Sequence, residues 1–260
     1  MVKPVARRVA RGIAGRAVLA VILEVVSRAG LVDARYLPPA SVVLGATASL
    51  LVDPEFLGNV VGTLAAWFLG IVLATCLAVP AGLVLGSSAR SYAATATAVE
   101  FLRPIPSVAL IPLAILLLGR GIDMRVALVA YASVWPILFN TIYGMRAVDP
   151  VARATARSFG FGRLSVVRLV SLPSAAPFIA TGIRISAAIA LIVAISAELI
   201  AGGGPGIGTW MLARSQAGVA RELLYAAIVV AGAVGLVIDA LMLATERRLF
   251  VWHEPTREAP

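Results

Sequence analysis

The sequence predicts an all-α, polytopic membrane protein, and three observations predict it. Hydrophobic residues make up 60% of the 260 residues and charged residues only 13%, whereas a soluble domain is closer to half apolar and a quarter charged. A chain of this length has too little interior to hide so much apolar surface from water. The 22 Lys and Arg against 13 Asp and Glu, a formal charge of +9, fall between the apolar stretches. That is the charge pattern of a membrane topology, not the single basic patch of a nucleic-acid binder. One transmembrane domain over residues 1–260, with about six spans and both termini on the inside, is expected.

The N-terminus carries Lys3, Arg7, Arg8, Arg11 and Arg16 before an apolar run at residues 17–26. No small-residue cleavage site follows, so the run is expected to stay as a first span with its basic end inside. Glu24 inside it needs a neighbouring helix or the outer interface. Residues 31–57 hold Asp33, Pro38, Pro39, Asp53 and Glu55 and read as an outer segment with one short helix after Ser41. A second span is expected at about 60–85, containing Cys76 as a small buried apolar side chain. A third, at about 97–118, is interrupted by Pro104, Pro106 and Pro112. These break the backbone ladder, so the segment should be kinked or partly unwound, either to line a water-filled pathway or for packing alone. A fourth span is expected at about 126–143 around Pro136.

The longest inside loop, residues 146–177, sets Arg146, Arg153, Arg157, Arg163 and Arg168 against one acid, Asp149. Asp149-Pro150 is a helix start, an N-cap residue followed by proline at the first helical position. That helix should run to Phe159 and end at Gly160 and Gly162. A second short helix from Arg163 to about Val170 is expected to stop at Leu172-Pro173, giving two amphipathic helices in an L. The fifth span, about 178–200, leads into Gly202-Gly203-Gly204-Pro205-Gly206. The sixth, about 223–244, ends at Glu246, Arg247 and Arg248. Cys76 and His253 are the lone cysteine and histidine, which leaves no Cys/His metal cluster and no Cys–His pair.

The run from Ala154 through Gly160 to Val170-Ser171-Leu172-Pro173 resembles the cytoplasmic signature of ABC importer permeases. That signature reads Glu-Ala-Ala, three residues, Gly, nine residues, then Ile-x-Leu-Pro. Ala156, Gly160, Leu172 and Pro173 match it, Val170 replaces Ile, Ala154 stands at the usual Glu and Thr155 at the usual first Ala. The segments Leu37–Ser41, Leu102–Ser107, Trp135–Thr141, Thr181–Ile185 and Ala197–Ile200 are similar to the nitrate, sulfonate and taurine subfamily, from about Leu37 to Arg248. Trp67 departs from it, where that group often has an arginine.

The resemblance implies a permease subunit of the prokaryotic plasma (inner) membrane that moves a small solute delivered by an external binding protein. No G-x-x-x-x-G-K-S/T occurs, and Lys3 is the one lysine, so no cofactor is expected in this chain and ATP would be bound by a partner ATPase subunit. Ala154, Ala156, Gly160, Leu172 and Pro173 are the implied coupling residues against that ATPase. A helix lying on lipid headgroups accounts for the arginines equally well. The path is expected between two permease copies, identical or paralogous, with Pro104, Pro106, Ser107, Asn140 and Tyr143 as lining candidates. Glu100, Arg103, Arg184, Glu198 and Asp239 are charges within or near spans and candidates on that ground. Arg184, near the inner end, is either functional or snorkels, and Glu198, near the outer end, is either functional or interfacial. Asp239, deeper in the last span, either meets an arginine or lies close to the inner surface. A passive channel or scaffold lacks a reason for the Gly160-to-Pro173 spacing. An intramembrane enzyme lacks paired carboxylates or a histidine within the spans.

Overall fold

A computed structural model describes residues 15, 18, 21–30, 32, 36–218 and 221–250. The basic residues Lys3, Arg7, Arg8, Arg11 and Arg16, part of the expected first span, Asp33 and His253 lie outside the described residues. The described chain is helical: α1 (residues 21–28), α2 (Ala40–Leu50), α3 (Pro54–Ser87), α4 (Ala89–Leu102), α5 (Ile111–Leu118), α6 (Ile122–Ala147), α7 (Pro150–Ser158), α8 (Arg163–Val166), α9 (Leu172–Ala201), α10 (Ile207–Gln216) and α11 (Arg221–Leu249). Among the described residues four helices are long and apolar enough to cross a membrane: α3, α6, α11 and the continuous run Arg163–Ala201. The expected third span is two helices, α4 and α5, separated by the Arg103–Pro106 turn and a 3-10 turn at Ser107–Leu110. Pro106 precedes that turn in extended conformation, and Pro112 falls in the first turn of α5, where its missing N–H costs nothing.

The bundle is assembled on small residues. Gly70, Ala74, Ala78, Gly82 and Gly86 recur every fourth position of α3 and are all buried, so they form one stripe along the helix. A Cβ at Gly70 would lie 2.4 Å from Val129 Cγ1, at Gly82 2.6 Å from Thr141 Cβ, and at Gly86 2.5 Å from Met145 Cβ. The backbone of α3 therefore lies directly on the side chains of α6. An adjoining face of α6 meets α9 in the same way: a Cβ at Gly144 would be 2.8 Å from Phe178 Cβ, and one at Gly182 would be 2.8 Å from Asn140 Cβ. Lipid tails are as apolar as leucine, so close backbone approach and buried hydrogen bonds hold such helices together. Ser186 supplies one, donating to Ser133 O at 2.8 Å, and Trp67 Nε1 another, to Ala187 O at 2.8 Å.

α2, α10 and α11 close one end of the bundle around Leu50, Phe56, Ile207, Trp210 and Ala226, with Phe56 and Trp210 edge to face at 5.0 Å. Glu24 of α1 accepts from the Ser41 N–H at 2.9 Å and from Arg28 at 2.6 Å, so the acid in the first apolar run joins α1 to the start of α2. Large apolar side chains such as Phe68, Leu77, Ile192 and Leu236 remain exposed on the outer faces, as a hydrocarbon surround permits and water does not. Cys76 belongs to this outward set: it is exposed, not the buried side chain its apolar context suggested. On α3 the small-residue stripe at Ala74 and Ala78 takes the packed face and turns position 76 away.

The helix beginning at Arg163 does not stop at Leu172-Pro173. It widens into an i→i+5 turn at Val167–Ser171 and continues as α9 to Ala201. A proline removes the N–H that would close the preceding turn, and a wide turn absorbs that defect without ending the helix. The Ser174 hydroxyl donates to Val170 O at 2.7 Å and that of Thr181 to Pro177 O at 3.0 Å, giving carbonyls near Pro173 and Pro177 a side-chain donor.

Candidate functional site

The loop between α6 and α9 is built from its caps. Asp149 accepts from the Val151 N–H at 2.8 Å, and Pro150 opens α7. At the other end Gly160 stands at φ +83°, its N–H donating to Arg157 O at 2.9 Å while Phe161 N–H donates to Ala156 O at 3.2 Å. This pair of bonds is a Schellman cap, and it needs the left-handed residue that glycine supplies. Ala156 is buried on the inner face of α7, whereas Ala154 is exposed. Arg153 reaches from α7 to Met145 O at the end of α6, fastening loop to span. Leu172 is half-buried and Pro173 exposed in the first turn of α9. The five sequence-picked loop residues thus occupy α7, its cap and the entry to α9.

Outward from this frame Phe159 and Leu164 are 79% and 81% exposed, with Val151 and Phe161 also exposed. Four apolar side chains on a polar loop off the ends of the spans form a surface that gains by being covered.

Toward the far end of α9, at Glu198, 26 residues past Leu172 and so about 39 Å along the helix, a second constellation is fully enclosed. Arg125 in the first turn of α6 is 2% exposed and Glu198 of α9 is 0% exposed, and Arg125 Nη1 lies 3.2 Å from Glu198 Oε1. The same Nη1 donates to Pro205 O at 2.7 Å, and Arg125 Nε to Gly121 O at 3.2 Å. The other carboxylate oxygen of Glu198 accepts from the Thr63 hydroxyl at 2.9 Å and the Gly208 N–H at 3.0 Å. Thr63 accepts from the Ile207 N–H at 2.8 Å, and Asn59 Oδ1 from the Gly206 N–H at 2.8 Å. Three side chains from α3 and α9 thus satisfy the first N–H groups of α10, which otherwise lack helical partners.

Glycine is required where this turn closes. A Cβ at Gly206 would sit 2.4 Å from Glu198 Cδ, and one at Gly208 2.4 Å from Ile195 O. Gly203 and Gly204 take φ of +83° and +78°. Every oxygen of Glu198 is occupied, and the group clamps α3, α6, α9 and α10 into one rigid end. Of the two alternatives for Glu198, a functional or an interfacial charge, the structure adds that its carboxylate is enclosed, with Arg125 and α10 to satisfy it. Arg125 and α10 were both missed in the sequence. The signal available was Glu198 itself, since a carboxylate in an apolar span implies a cationic partner.

Asp239 meets an arginine, Arg184, the first of the two alternatives its sequence position offered. Arg184 Nε lies 3.2 Å from Asp239 Oδ1 and Arg184 Nη1 3.2 Å from Glu246 Oε2, and Thr181 donates to Glu246 at 2.8 Å. This half-exposed network ties α9 to α11.

The five pathway candidates divide between two places. Arg103 lies 4.8 Å over the Phe139 ring, and Tyr131 donates to Leu102 O at 2.8 Å, which holds the turn with Pro104, Pro106 and Ser107 against α6. Asn140 sits at the α6–α9 seam, its amide donating to Pro136 O at 2.8 Å. Tyr143 is exposed, one turn beyond Phe139 on the same face of α6.

The family model for binding-protein-dependent transport system inner membrane components matches residues 78–251. The taurine transport system permease protein TauC of Escherichia coli (strain K12) is 28% identical over 255 residues, covering 96% of this chain and 92% of that protein. The bicarbonate transport system permease protein CmpB of Synechococcus elongatus is 28% identical over 178 residues, 68% of this chain and 64% of that protein. A solved bacterial ABC transporter involved in the import of the acidic polysaccharide alginate has a chain that superposes with a TM-score of 0.64 at 16% identity, covering 94% of this chain and 99% of that one. It bears on the fold.

Proposed function

The chain belongs to the binding-protein-dependent transport system inner membrane components, the permeases of ABC importers, and from that membership we propose a specific division of labour. This subunit forms the transmembrane path for a small solute of the nitrate, sulfonate or taurine kind, which an extracytoplasmic binding protein delivers. A separate ATPase subunit supplies the energy from the inside, where both termini and the 146–177 loop lie. A second permease copy completes the path. The relatives named for taurine and bicarbonate support a small solute that carries an acidic group as cargo.

The observation that carries this reading is the exposed apolar set of Val151, Phe159, Phe161 and Leu164, held by the Gly160 cap beside Ala154 and Ala156. It suits a helix-in-groove contact with the ATPase. Arg153 on Met145 O and the unbroken Arg163–Ala201 helix give a rigid connection from that contact into the spans.

Co-purification from the native membrane in mild detergent, followed by mass spectrometry, tests it. An ATPase subunit should be recovered with wild type and lost with Gly160→Glu or Leu164→Asp. Absence of any ATPase from wild type in several detergents would remove the coupling role from this loop. A binding protein recovered with the complex, released and probed with taurine, other sulfonates and bicarbonate, identifies the cargo.

A further inference from the structure

Between the loop and the ends of α3 and α6 lies a cleft of about 480 Å³ that the coupling reading does not use. Ser87 at the end of α3, Met145 at the end of α6, Arg153 and Arg157 of α7, Arg163 of α8 and the buried Ser171 line it. Arg153 and Arg157 are four apart and share one face of α7, a like-charged pair that destabilises the helix unless something neutralises it. Among the described residues none of the three guanidinium groups is paired with an acidic side chain. Arg153 spends one nitrogen on Met145 O, and its Nε is buried with no hydrogen-bond partner. The nearest acid in sequence, Asp149, is occupied capping α7.

We propose that this cleft is an anion site for a phosphate group. Three forked guanidinium donors beside serine hydroxyls are the chemistry that recognises a tetrahedral oxyanion by paired hydrogen bonds. The local dipole agrees. The 39-residue helix starts at Arg163, one of the lining residues, and its N-cap, Gly162, offers no side-chain acceptor for the first N–H groups. The cleft also lies where α3 and α6, two of the membrane-length helices, end, which is the depth of lipid phosphates. Basic pockets at that level take anionic headgroups. A phosphate bound there bridges α7, α8 and the ends of α3 and α6, and it holds the loop at a fixed angle to the spans. The group arrives either on a phosphatidylglycerol headgroup or as free inorganic phosphate.

Full-length protein in phosphatidylcholine nanodiscs, with and without phosphatidylglycerol, separates the two sources. Native mass spectrometry reads retained lipid, and thermal unfolding in phosphate against chloride at fixed ionic strength reads free anion. Arg157→Gln and Arg163→Gln remove exposed side chains and leave the fold intact. Arg168→Gln, an exposed arginine of the same loop outside the cleft, is the control. Each cleft variant should weaken binding about tenfold and the control should not change it. Phosphatidylglycerol retained by wild type and lost by the double variant assigns the lipid source. Stabilisation by phosphate in phosphatidylcholine alone, abolished in the double variant, assigns the free anion. Equal behaviour of wild type and double variant toward both probes overturns the site. It is overturned equally if neither probe binds and the double variant instead sheds the ATPase, since the arginines would then serve a protein carboxylate.

Discussion

Arg125→Met is the substitution that most sharply probes how this bundle is held. Arg125 and Glu198 are 2% and 0% exposed, so the change strands a carboxylate with only Thr63 and Gly208 as donors and leaves Pro205 O without its guanidinium. Removing one partner of a buried pair costs about 3–5 kcal/mol, because the remaining charge is uncompensated. For a chain of this size about 2–4 °C of Tm accompanies each kcal/mol, so Arg125→Met should lower the apparent midpoint by roughly 6–20 °C. Glu198→Gln alone strands the buried Arg125 guanidinium in the same way and should cost a similar amount. The double variant Arg125→Met with Glu198→Gln should recover part of the loss, with a coupling above about 1.5 kcal/mol. The assay is thermal unfolding of all four proteins in one detergent at one scan rate, since such unfolding is commonly irreversible. Single effects under about 1 kcal/mol, or effects that simply add in the double variant, would refute the clamp.

Three further substitutions follow from the same geometry. Gly206→Ala puts a methyl 2.4 Å from Glu198 Cδ and should destabilise by about 1–3 kcal/mol, read in the same unfolding assay. Gly82→Val drives a branched side chain into Thr141, 2.6 Å from the built Cβ, and should depress the yield of folded protein from membranes; Gly58→Val, with nothing within 4 Å, should not. Trp67→Phe removes the 2.8 Å bond to Ala187 O and should cost about 1 kcal/mol with the fold unchanged by circular dichroism.

The sequence made some parts of this architecture legible and hid others, for identifiable reasons. Asp149-Pro150 and Gly160 marked both ends of α7, because capping is local chemistry that a few residues declare. Pro104 and Pro106 likewise announced the break between α4 and α5. Pro173 misled: a proline after a short amphipathic run reads as a stop, but the wide turn at Val167–Ser171 carries the helix through. That choice belongs to the packing of α9 on α6, which no local window contains. Cys76 misled because an apolar context in a membrane protein does not separate packed faces from lipid-facing ones. The small-residue stripe Gly70, Ala74, Ala78, Gly82 would have separated them. Glu198 was visible as a charge in a span, but its partner Arg125 lies 73 positions earlier at a helix start, where an arginine is unremarkable by itself.

The most direct test of the permease reading is transport by the reconstituted complex. Proteoliposomes holding this chain with its co-purified ATPase are given the loaded binding protein outside and ATP inside. Accumulation of labelled solute against its gradient should require ATP and the binding protein, and Gly160→Glu should abolish it while leaving the bundle folded. Solute that crosses only down its gradient, with or without ATP and unaffected by Gly160→Glu, would contradict the account and make the chain a passive pore.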